Sequence, residues 1–372
     1  MQDYLGKETP KLGFGLMRLP RRGVSTDIGQ VKDMVDLFLD AGFTYFDTAY
    51  IYPGSETAIA KALVERHPRD SYTLATKLNA YLMATGERSA KKQFYKSLER
   101  TGVGYFDYYL LHGLMGGTHA RYDHYHLWDF VQERKAEGLI RHAGFSFHGG
   151  PELLDRLLTE HPEVEFVQLQ INYADWEKPL VAARANYEVA RTHDTPVVIM
   201  EPVKGGSLAR PPKEARELFD ACRPNLSYAS WAIRFAASLP GVITVLSGMS
   251  DLAQMRDNLS YMKDFKPLDD EEQEVIRQVQ RIIGYSSTIE CTTCHYCASG
   301  CPKDIPIPEI FMAMNRQLGN GQTEQAIADY ERATTGHGKA SDCIGCRHCE
   351  QACPQHLPVT SLLAQCAEAL ER

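Results

Sequence analysis

The sequence predicts an α/β protein in which a (β/α)8 TIM barrel is followed by a small, mainly helical C-terminal module. Two observations support this prediction. Over about the first 265 of 372 residues, short apolar runs alternate with longer amphipathic stretches eight times, as the units of such a barrel do. In the last fifth of the chain this alternation stops, and eight of the ten cysteines occur there in two copies of one spacing.

Eight apolar runs have the length and composition of buried strands. They span residues 12–16, 44–48, 72–76, 108–111, 142–147, 166–171, 196–200 and 242–246. Stretches of helical periodicity alternate with them, at residues 28–41, 56–65, 89–101, 127–137, 151–161, 181–192, 227–237 and 252–261. A doubly wound open sheet is the competing interpretation. It is disfavoured because no early strand is followed by the GxGxxG turn of that fold.

The chain is expected to divide where this alternation ends. We predict a barrel over residues 1–265, a connecting helix and linker over residues 266–290, and the cysteine-rich module over residues 291–372. The linker ends in a short connector at residues 284–290. Helices are predicted within the linker and the module, at residues 269–283, 308–317 and 324–334.

The cysteines of the module follow the spacing C-x2-C-x2-C-x3-C-P twice. They are Cys291, Cys294, Cys297, Cys301, Cys343, Cys346, Cys349 and Cys353. This spacing is typical of the ligands of two [4Fe-4S] clusters. A structural zinc site uses paired CxxC spacing and has no role for the third and fourth cysteine, while disulfides form in an oxidising compartment. The module is therefore predicted to handle single electrons.

Charge and hydropathy exclude two classes of partner. The formal net charge is −8, so there is no basic surplus to neutralise the phosphates of a nucleic acid. No apolar stretch approaches the length needed to cross a bilayer, and the first residues lack the basic start and apolar core of an export signal. We therefore expect a cytoplasmic protein without a membrane partner.

Four polar residues stand where predicted strands 2, 3 and 4 end. They are Asp47, Tyr52, Lys77 and His112. Each has an ordinary alternative role, such as a helix cap, loop packing, a solvated charge or a structural hydrogen bond. Because barrel enzymes place their chemistry where strands meet the following loops, the convergence of all four on one rim predicts an active site there.

The strings FDTAYIYPGSE, LATKL, YYLLHG, AGFSFHG and QINY resemble the aldo-keto reductase superfamily over roughly residues 10–262. The C-terminal part resembles helical dicluster ferredoxin domains. The resemblance implies that the four rim residues are the family's catalytic tetrad, which acts on a small carbonyl or alcohol substrate. It also implies that one cluster uses Cys291, Cys294, Cys297 and Cys353, and the other Cys343, Cys346, Cys349 and Cys301.

The chemistry of carbonyl reduction explains why these four residue types would occur together. A tyrosine with an ordinary pKa near 10 donates its proton poorly at neutral pH, so a nearby cation is needed to stabilise the phenolate. Lys77 would supply that charge and Asp47 would hold the lysine in place. His112 would bind and orient the substrate oxygen.

The resemblance also implies residues that hold a nucleotide cofactor, NAD(P)H. Ser146 and Gln168 would bind the nicotinamide amide. Ser207, Leu208 and the stretch from Gly248 to Asn258 would line the phosphates and the adenosine. Two departures weaken this assignment. Phe147 replaces the asparagine that follows the family's serine, and no basic residue follows Gly248 closely, so a flavin is an alternative cofactor.

Two functions remain open from the sequence. The first is an iron–sulfur oxidoreductase that exchanges electrons through both clusters, with a redox protein as a further partner. The second is a redox adaptor or sensor whose barrel only binds and whose clusters report on electron supply or oxygen. A binding barrel has no need of Tyr52 and Lys77 together, and this favours the enzyme.

Overall fold

The computed structural model describes residues 5–284 and 288–371. The chain divides into two compact units, each with its own hydrophobic core. One unit comprises Met1–Val203 and Arg223–Gln273, and the other Lys204–Cys222 and Glu274–Arg372. The segment Lys204–Cys222, which follows the seventh strand, thus belongs to the second unit.

The first unit is a closed barrel of eight parallel strands, as the sequence predicts. Each strand pairs with its neighbours in chain order, and the first pairs with the eighth through Leu12 and Val245. The strands are β1 (Leu12–Gly15), β2 (Tyr45–Asp47), β3 (Thr73–Leu78), β4 (Phe106–Leu114), β5 (Ile140–Phe147), β6 (Phe166–Gln170), β7 (Val197–Met200) and β8 (Val242–Ser247). A two-stranded hairpin of Arg21–Arg22 and Ser25–Thr26 precedes the first helix.

Helices alternate with these strands along the chain, most of them within a few residues of their predicted bounds. They are α1 (Ile28–Asp40), α2 (Ser55–Ile59), α3 (Glu87–Thr101), α4 (Ala120–His124), α5 (Leu127–Ala136), α6 (Pro151–Glu160), α7 (Ala183–Thr192), α8 (Lys213–Cys222), α9 (Tyr228–Ala237) and α10 (Leu252–Met262), with α8 belonging to the second unit. The stretch predicted as one helix at 56–65 is instead α2 followed by a π-helical turn, Ala60–Val64. Helices α4 and α8 lie outside the predicted elements.

The alternation of side chains along the strands separates two apolar layers. Tyr45 faces the barrel interior, where it packs with residues such as Tyr108 and Phe166. Its neighbour Phe46 faces outward and packs against Phe38 of α1. Because successive side chains of a strand point to opposite faces, two adjacent aromatic residues serve both layers.

The second unit is mainly helical, as predicted. Its further helices are α11 (Asp270–Gly284, whose first residues belong to the barrel unit), α12 (Ile307–Asn320), α13 (Thr323–Thr334), α14 (His348–Ala352) and α15 (Val359–Leu370). Helix α12 packs against α13 and α15. The hydrophobic core of the second unit includes three buried cysteines, Cys297, Cys349 and Cys366. Part of the predicted connector 284–290, residues 285–287, lies outside the described residues.

No helix within residues 5–284 and 288–371 is long and apolar enough to cross a membrane.

Candidate active site and candidate cluster sites

The buried ion pair of Lys77 and Asp47 is the centre of the candidate active site. Lys77, next to the last residue of β3, has 0% of its surface exposed, and Asp47, the last residue of β2, has 3% exposed. The lysine Nζ donates to Asp47 Oδ1 at 2.5 Å and to the Thr48 carbonyl at 2.8 Å. Burial lowers the pKa of Lys77 and raises the pKa of Asp47, while their mutual attraction opposes both shifts. The strand ends thus hold a fixed charge pair away from water.

Tyr52 and His112 lie beside this ion pair. The ammonium of Lys77 lies 5.4 Å from the centre of the Tyr52 ring, and the half-buried Tyr52 meets the His112 ring edge-on at 5.8 Å between centroids. Burial, with smaller contributions from Lys77 and His148, holds the pKa of His112 well below its ordinary value. The imidazole is therefore neutral at physiological pH. The structure brings the four residues of the predicted tetrad together.

A second buried carboxylate, absent from the sequence-based site, supports the turn that carries Tyr52. Glu56 is 2% exposed and accepts hydrogen bonds from Thr76 at 2.9 Å and from Arg100 at 3.2 Å. Arg100 also donates to the carbonyl of Tyr50 at 3.3 Å and lies 4.4 Å from that ring. Glu56 stands four residues after Tyr52 in FDTAYIYPGSE, but nothing local in the sequence indicates its distant partner.

Among the predicted cofactor residues of the barrel unit, Ser146 lies near the end of β5, Gln168 lies within β6 and Asn258 lies in α10. Gln168 is 2% exposed, and its Oε1 has no hydrogen-bond partner among the described residues. Ser146 Oγ accepts from the backbone N–H of Gly113 at 2.8 Å. Asn258 is already engaged, because it donates to Ser247 Oγ at 2.6 Å and accepts from Tyr261 at 2.7 Å. The orphaned oxygen of Gln168 suits an amide donor such as the nicotinamide carboxamide.

The remaining cofactor candidates have different surroundings. A Cβ added at Gly248 would meet nothing within 4 Å, so the backbone after β8 is accessible. Ser207 and Leu208 belong to the second unit, in a short 3₁₀ segment, Lys204–Ala209. There Ser207 donates to the carbonyl of Lys204 at 2.8 Å, and Leu208 is buried. Lys204 in turn donates to Glu290 at 3.0 Å, next to the first cluster cysteine.

The eight spaced cysteines of the second unit line two separate cavities. One cavity is lined by Cys291, Cys294, Cys297 and Cys353. The other is lined by Cys301, Cys343, Cys346 and Cys349. In each cavity three cysteines come from one motif and the fourth from the other, and these are the groups of four that the resemblance implies as cluster ligands.

The thiols of these cavities are crowded together. Burial and the neighbouring sulfurs raise the pKa of Cys349 to about 11, and the pKa of Cys297 is raised further by the same causes. Thiolates so placed repel one another until a positive centre offsets their charge. Within the described part of the chain, no three His, Cys, Asp or Glu side chains converge on a single metal ion. The donor set fits a larger group held by four sulfurs.

Two known protein families match successive regions of the chain. The family described as Aldo/keto reductase matches residues 11–281, and the 4Fe-4S dicluster domain matches residues 290–357. Among curated proteins, the chain is similar to an uncharacterized oxidoreductase, YqkF, of Bacillus subtilis. The two are 23% identical over 281 residues, which cover 67% of this chain and 86% of the relative.

Solved structures share the fold of the barrel. An aldo/keto reductase from Klebsiella pneumoniae, solved in complex with NADP and acetate, matches with a TM-score of 0.60 and 20% identity over 74% of this chain and 92% of the other. The aldo-keto reductase AKR11C1 of Bacillus halodurans, in its holo form, matches with a TM-score of 0.57 and 24% identity over 74% and 95%. The chain therefore belongs to the aldo/keto reductase family of oxidoreductases and carries a C-terminal 4Fe-4S dicluster domain.

Proposed function

We propose that the barrel interconverts a small carbonyl compound and its alcohol at the site formed by Asp47, Tyr52, Lys77 and His112. The observation that carries this proposal is the fully buried Lys77, held by Asp47 and lying 5.4 Å from the Tyr52 ring. A buried charge is costly unless it is paired, so a buried lysine beside a half-buried tyrosine suits a catalytic role better than a structural one.

In the direction of reduction, Tyr52 gives its hydroxyl proton to the substrate oxygen as negative charge develops there. Lys77 stabilises the phenolate that remains, and Asp47 keeps the ammonium from turning away. The neutral His112 hydrogen-bonds the same oxygen and orients the carbonyl. Oxidation of an alcohol uses the same residues, with Tyr52 as the proton acceptor.

NAD(P)H is the proposed cofactor of the barrel, where it would supply a hydride. Its carboxamide would be held by Gln168, whose buried Oε1 has no partner among the described residues, with Ser146 beside it. The Klebsiella pneumoniae reductase was solved with NADP, which supports the same class of cofactor. Gly248 and Asn258 of the barrel unit are proposed to serve the phosphates and the adenosine.

The two thiol-lined cavities are proposed to hold one [4Fe-4S] cluster each and to pass electrons to or from the substrate reaction. A nicotinamide gives up a hydride, whereas such a cluster exchanges single electrons. Coupling the two therefore needs a group that separates the electron pair. Either a flavin occupies the barrel, or the substrate accepts electrons one at a time.

Replacing Tyr52 by phenylalanine tests the catalytic proposal. We expect Tyr52→Phe to lower kcat for carbonyl reduction by at least about 100-fold, since general acid catalysis contributes that much, while the affinity for NADPH stays nearly unchanged. Tyr95→Phe removes a hydroxyl from an exposed tyrosine on α3 and serves as the matched control. If a carbonyl reduced by the parent is reduced equally fast by Tyr52→Phe, the tetrad assignment is wrong.

A single turnover tests the role of the clusters. Protein reduced with dithionite and freed of nicotinamide is mixed with a carbonyl substrate, and cluster absorbance and product are followed together. Reoxidation of the clusters in step with product supports electron exchange. Product formed only with NAD(P)H, while the clusters stay reduced, rejects it. A barrel that turns over no carbonyl at all favours the adaptor or sensor.

A further inference from the structure

The two thiol-lined cavities differ in their access to solvent. In the first cavity Cys297 and Cys353 are buried, and the other two cysteines are half-buried. In the second cavity Cys346 is exposed and only Cys349 is buried. A group in the second cavity therefore lies closer to the protein surface.

The exposed edge of the second cavity is a short run of residues that includes Cys346. Every residue from Ile344 to His348 is exposed. Ile344 is 61% exposed, among the large apolar side chains of the described chain that are most accessible. A single exposed apolar side chain is ordinary on a protein surface, so Ile344 bears on a partner only through its position beside the redox site.

The charge at this edge is opposite to that of the whole protein. Three basic residues, Lys303, Arg347 and His348, line the second cavity, and none of the described residues that line it is Asp or Glu. The chain carries a net charge of −8, so this basic group is a local exception. Among the described residues that line the first cavity, His295 is the single basic one.

Nearby carboxylates only partly offset these charges. Arg347 lies 3.8 Å from Glu350, yet 74% of the arginine side chain is exposed. Glu350 itself accepts hydrogen bonds from Thr360. Asp304 is paired with His337 at 2.7 Å. The guanidinium of Arg347 and the exposed ammonium of Lys303 therefore remain able to meet an incoming anionic surface.

We propose that this surface, formed by Lys303 and residues 344–348, docks a small acidic protein that carries one electron at a time. The proposal rests on the cluster assignment made above. In the productive complex one electron passes from the reduced carrier to the cluster of the second cavity. The carrier is oxidised by one electron, the cluster is reduced by one, and no bond or proton is transferred.

The chemistry of the surface favours such a carrier over other occupants. Transient electron-transfer complexes bury little area and depend on complementary charge for rapid association. One exposed apolar side chain within a basic edge matches that design. A large hydrophobic partner would need a wider apolar surface than Ile344 provides.

Charge reversal on the full-length, cluster-loaded protein tests this proposal. The probe is a purified acidic ferredoxin, reduced beforehand, and the second-order rate of cluster reduction is followed by stopped flow at low and at physiological salt. We expect Lys303→Glu with Arg347→Glu to slow this reaction by about 10- to 100-fold at low salt, and the deficit to shrink as salt rises. Ile344→Ala should slow it less, with little dependence on salt.

The matched control is Arg277→Glu with Arg281→Glu, which makes the same change in net charge on exposed residues of α11. The milder pair Lys303→Gln with Arg347→Gln is measured in case charge reversal disturbs cluster loading. Equal slowing in the control, or no slowing in either docking pair, overturns the docking proposal. So does a basic carrier that reacts faster than the acidic one.

Iron, sulfide and the visible spectrum are measured for every variant. Absence of iron and sulfide from the parent overturns the cluster assignment and the docking proposal together. Full cluster loading, with unchanged rates in the variants, overturns only the docking proposal.

Discussion

The barrel and the C-terminal module bury different kinds of interior. In the barrel, residues such as Phe14, Phe38 and Phe46 pack against one another with no exposed surface. In the module, the apolar core is built around cysteines that line two cavities. The side chains of the barrel fill its interior by themselves, whereas the interior of the module is completed by an added inorganic group. The barrel region therefore specifies a fold that needs no bound metal, whereas the C-terminal region specifies a fold that depends on metal.

Buried charge follows the same division. In the barrel, the buried Lys77 pairs with the buried Asp47, and the buried Glu56 pairs with the partly exposed Arg100, so Lys77 and Glu56 each have a side-chain partner of opposite sign. The module buries thiols whose neighbours are other thiols. The repulsion between the thiolates of the module must be relieved by a bound cation. In the barrel, Lys77 and Glu56 are instead neutralised by the side chains that pair with them.

Removal of iron should separate the two regions most strongly. The core of the module, about 80 residues long, is built around the cysteines of both cavities, so we expect it to unfold when the clusters are lost while the barrel remains folded. Anaerobic protein should contain close to eight iron and eight sulfide per chain before treatment. Limited proteolysis after chelation should then leave a protected fragment that contains the barrel. If the module resisted proteolysis as well as the barrel did, its fold would not depend on the clusters.

Truncation of a core side chain in the barrel should instead destabilise the barrel and leave the module folded. Phe38→Ala should lower the free energy of unfolding of the barrel by about 3–5 kcal/mol, because it removes a fully buried ring. Phe311→Ala is the reciprocal variant, since Phe311 is 1% exposed and lines the first cluster cavity. We expect it to speed loss of the visible cluster absorbance. Thermal unfolding and absorbance, recorded together, will show whether each effect stays in its own region.

The Glu56–Arg100 pair permits a finer test inside the barrel. Arg100→Met leaves the Glu56 carboxylate buried without its cation and releases the carbonyl of Tyr50, so the turn carrying Tyr52 should loosen. We expect kcat to fall by about 10-fold with a smaller change in KM, because positioning of the proton donor matters most in the transition state. Lys96→Met, which breaks an exposed pair on the same helix, is the control. A change in KM alone would argue against a positioning role.

The smallest expected effect is on the pH dependence of stability. The pKa of His112 is lowered in the folded state, so the unfolded chain binds this proton first. Stability from the neutral imidazole is fully present above the ordinary value of 6.5 and is lost as pH falls below it, by at most about 1.4 kcal/mol per pH unit. We expect the free energy of unfolding, measured with urea between pH 7.5 and 5.5, to change less with pH in His112→Gln than in the parent.

Much of the molecule was predictable because its signals are local. The eight strands repeat a short apolar pattern that reports burial directly, and the cysteine spacing reports a ligand geometry within a dozen residues. The strand-end positions of Asp47, Lys77 and His112 follow from the same pattern, because parallel strands of a barrel end on one rim. The roles assigned to these residues remain predictions to be tested by substitution.

The tertiary structure alone decided the features that join distant parts of the chain. The pairing of Arg100 with Glu56 and the orphaned oxygen of Gln168 depend on side chains that no local pattern relates. The exposure of Cys346 and the burial of Cys353 also arise only after folding, although both belong to the same motif. Identical spacing specifies identical ligands, but solvent access is set by what the rest of the chain packs over them. The sequence by itself therefore determined which chemistry each region would carry, and the packing determined which groups lie close enough, or open enough, to perform it.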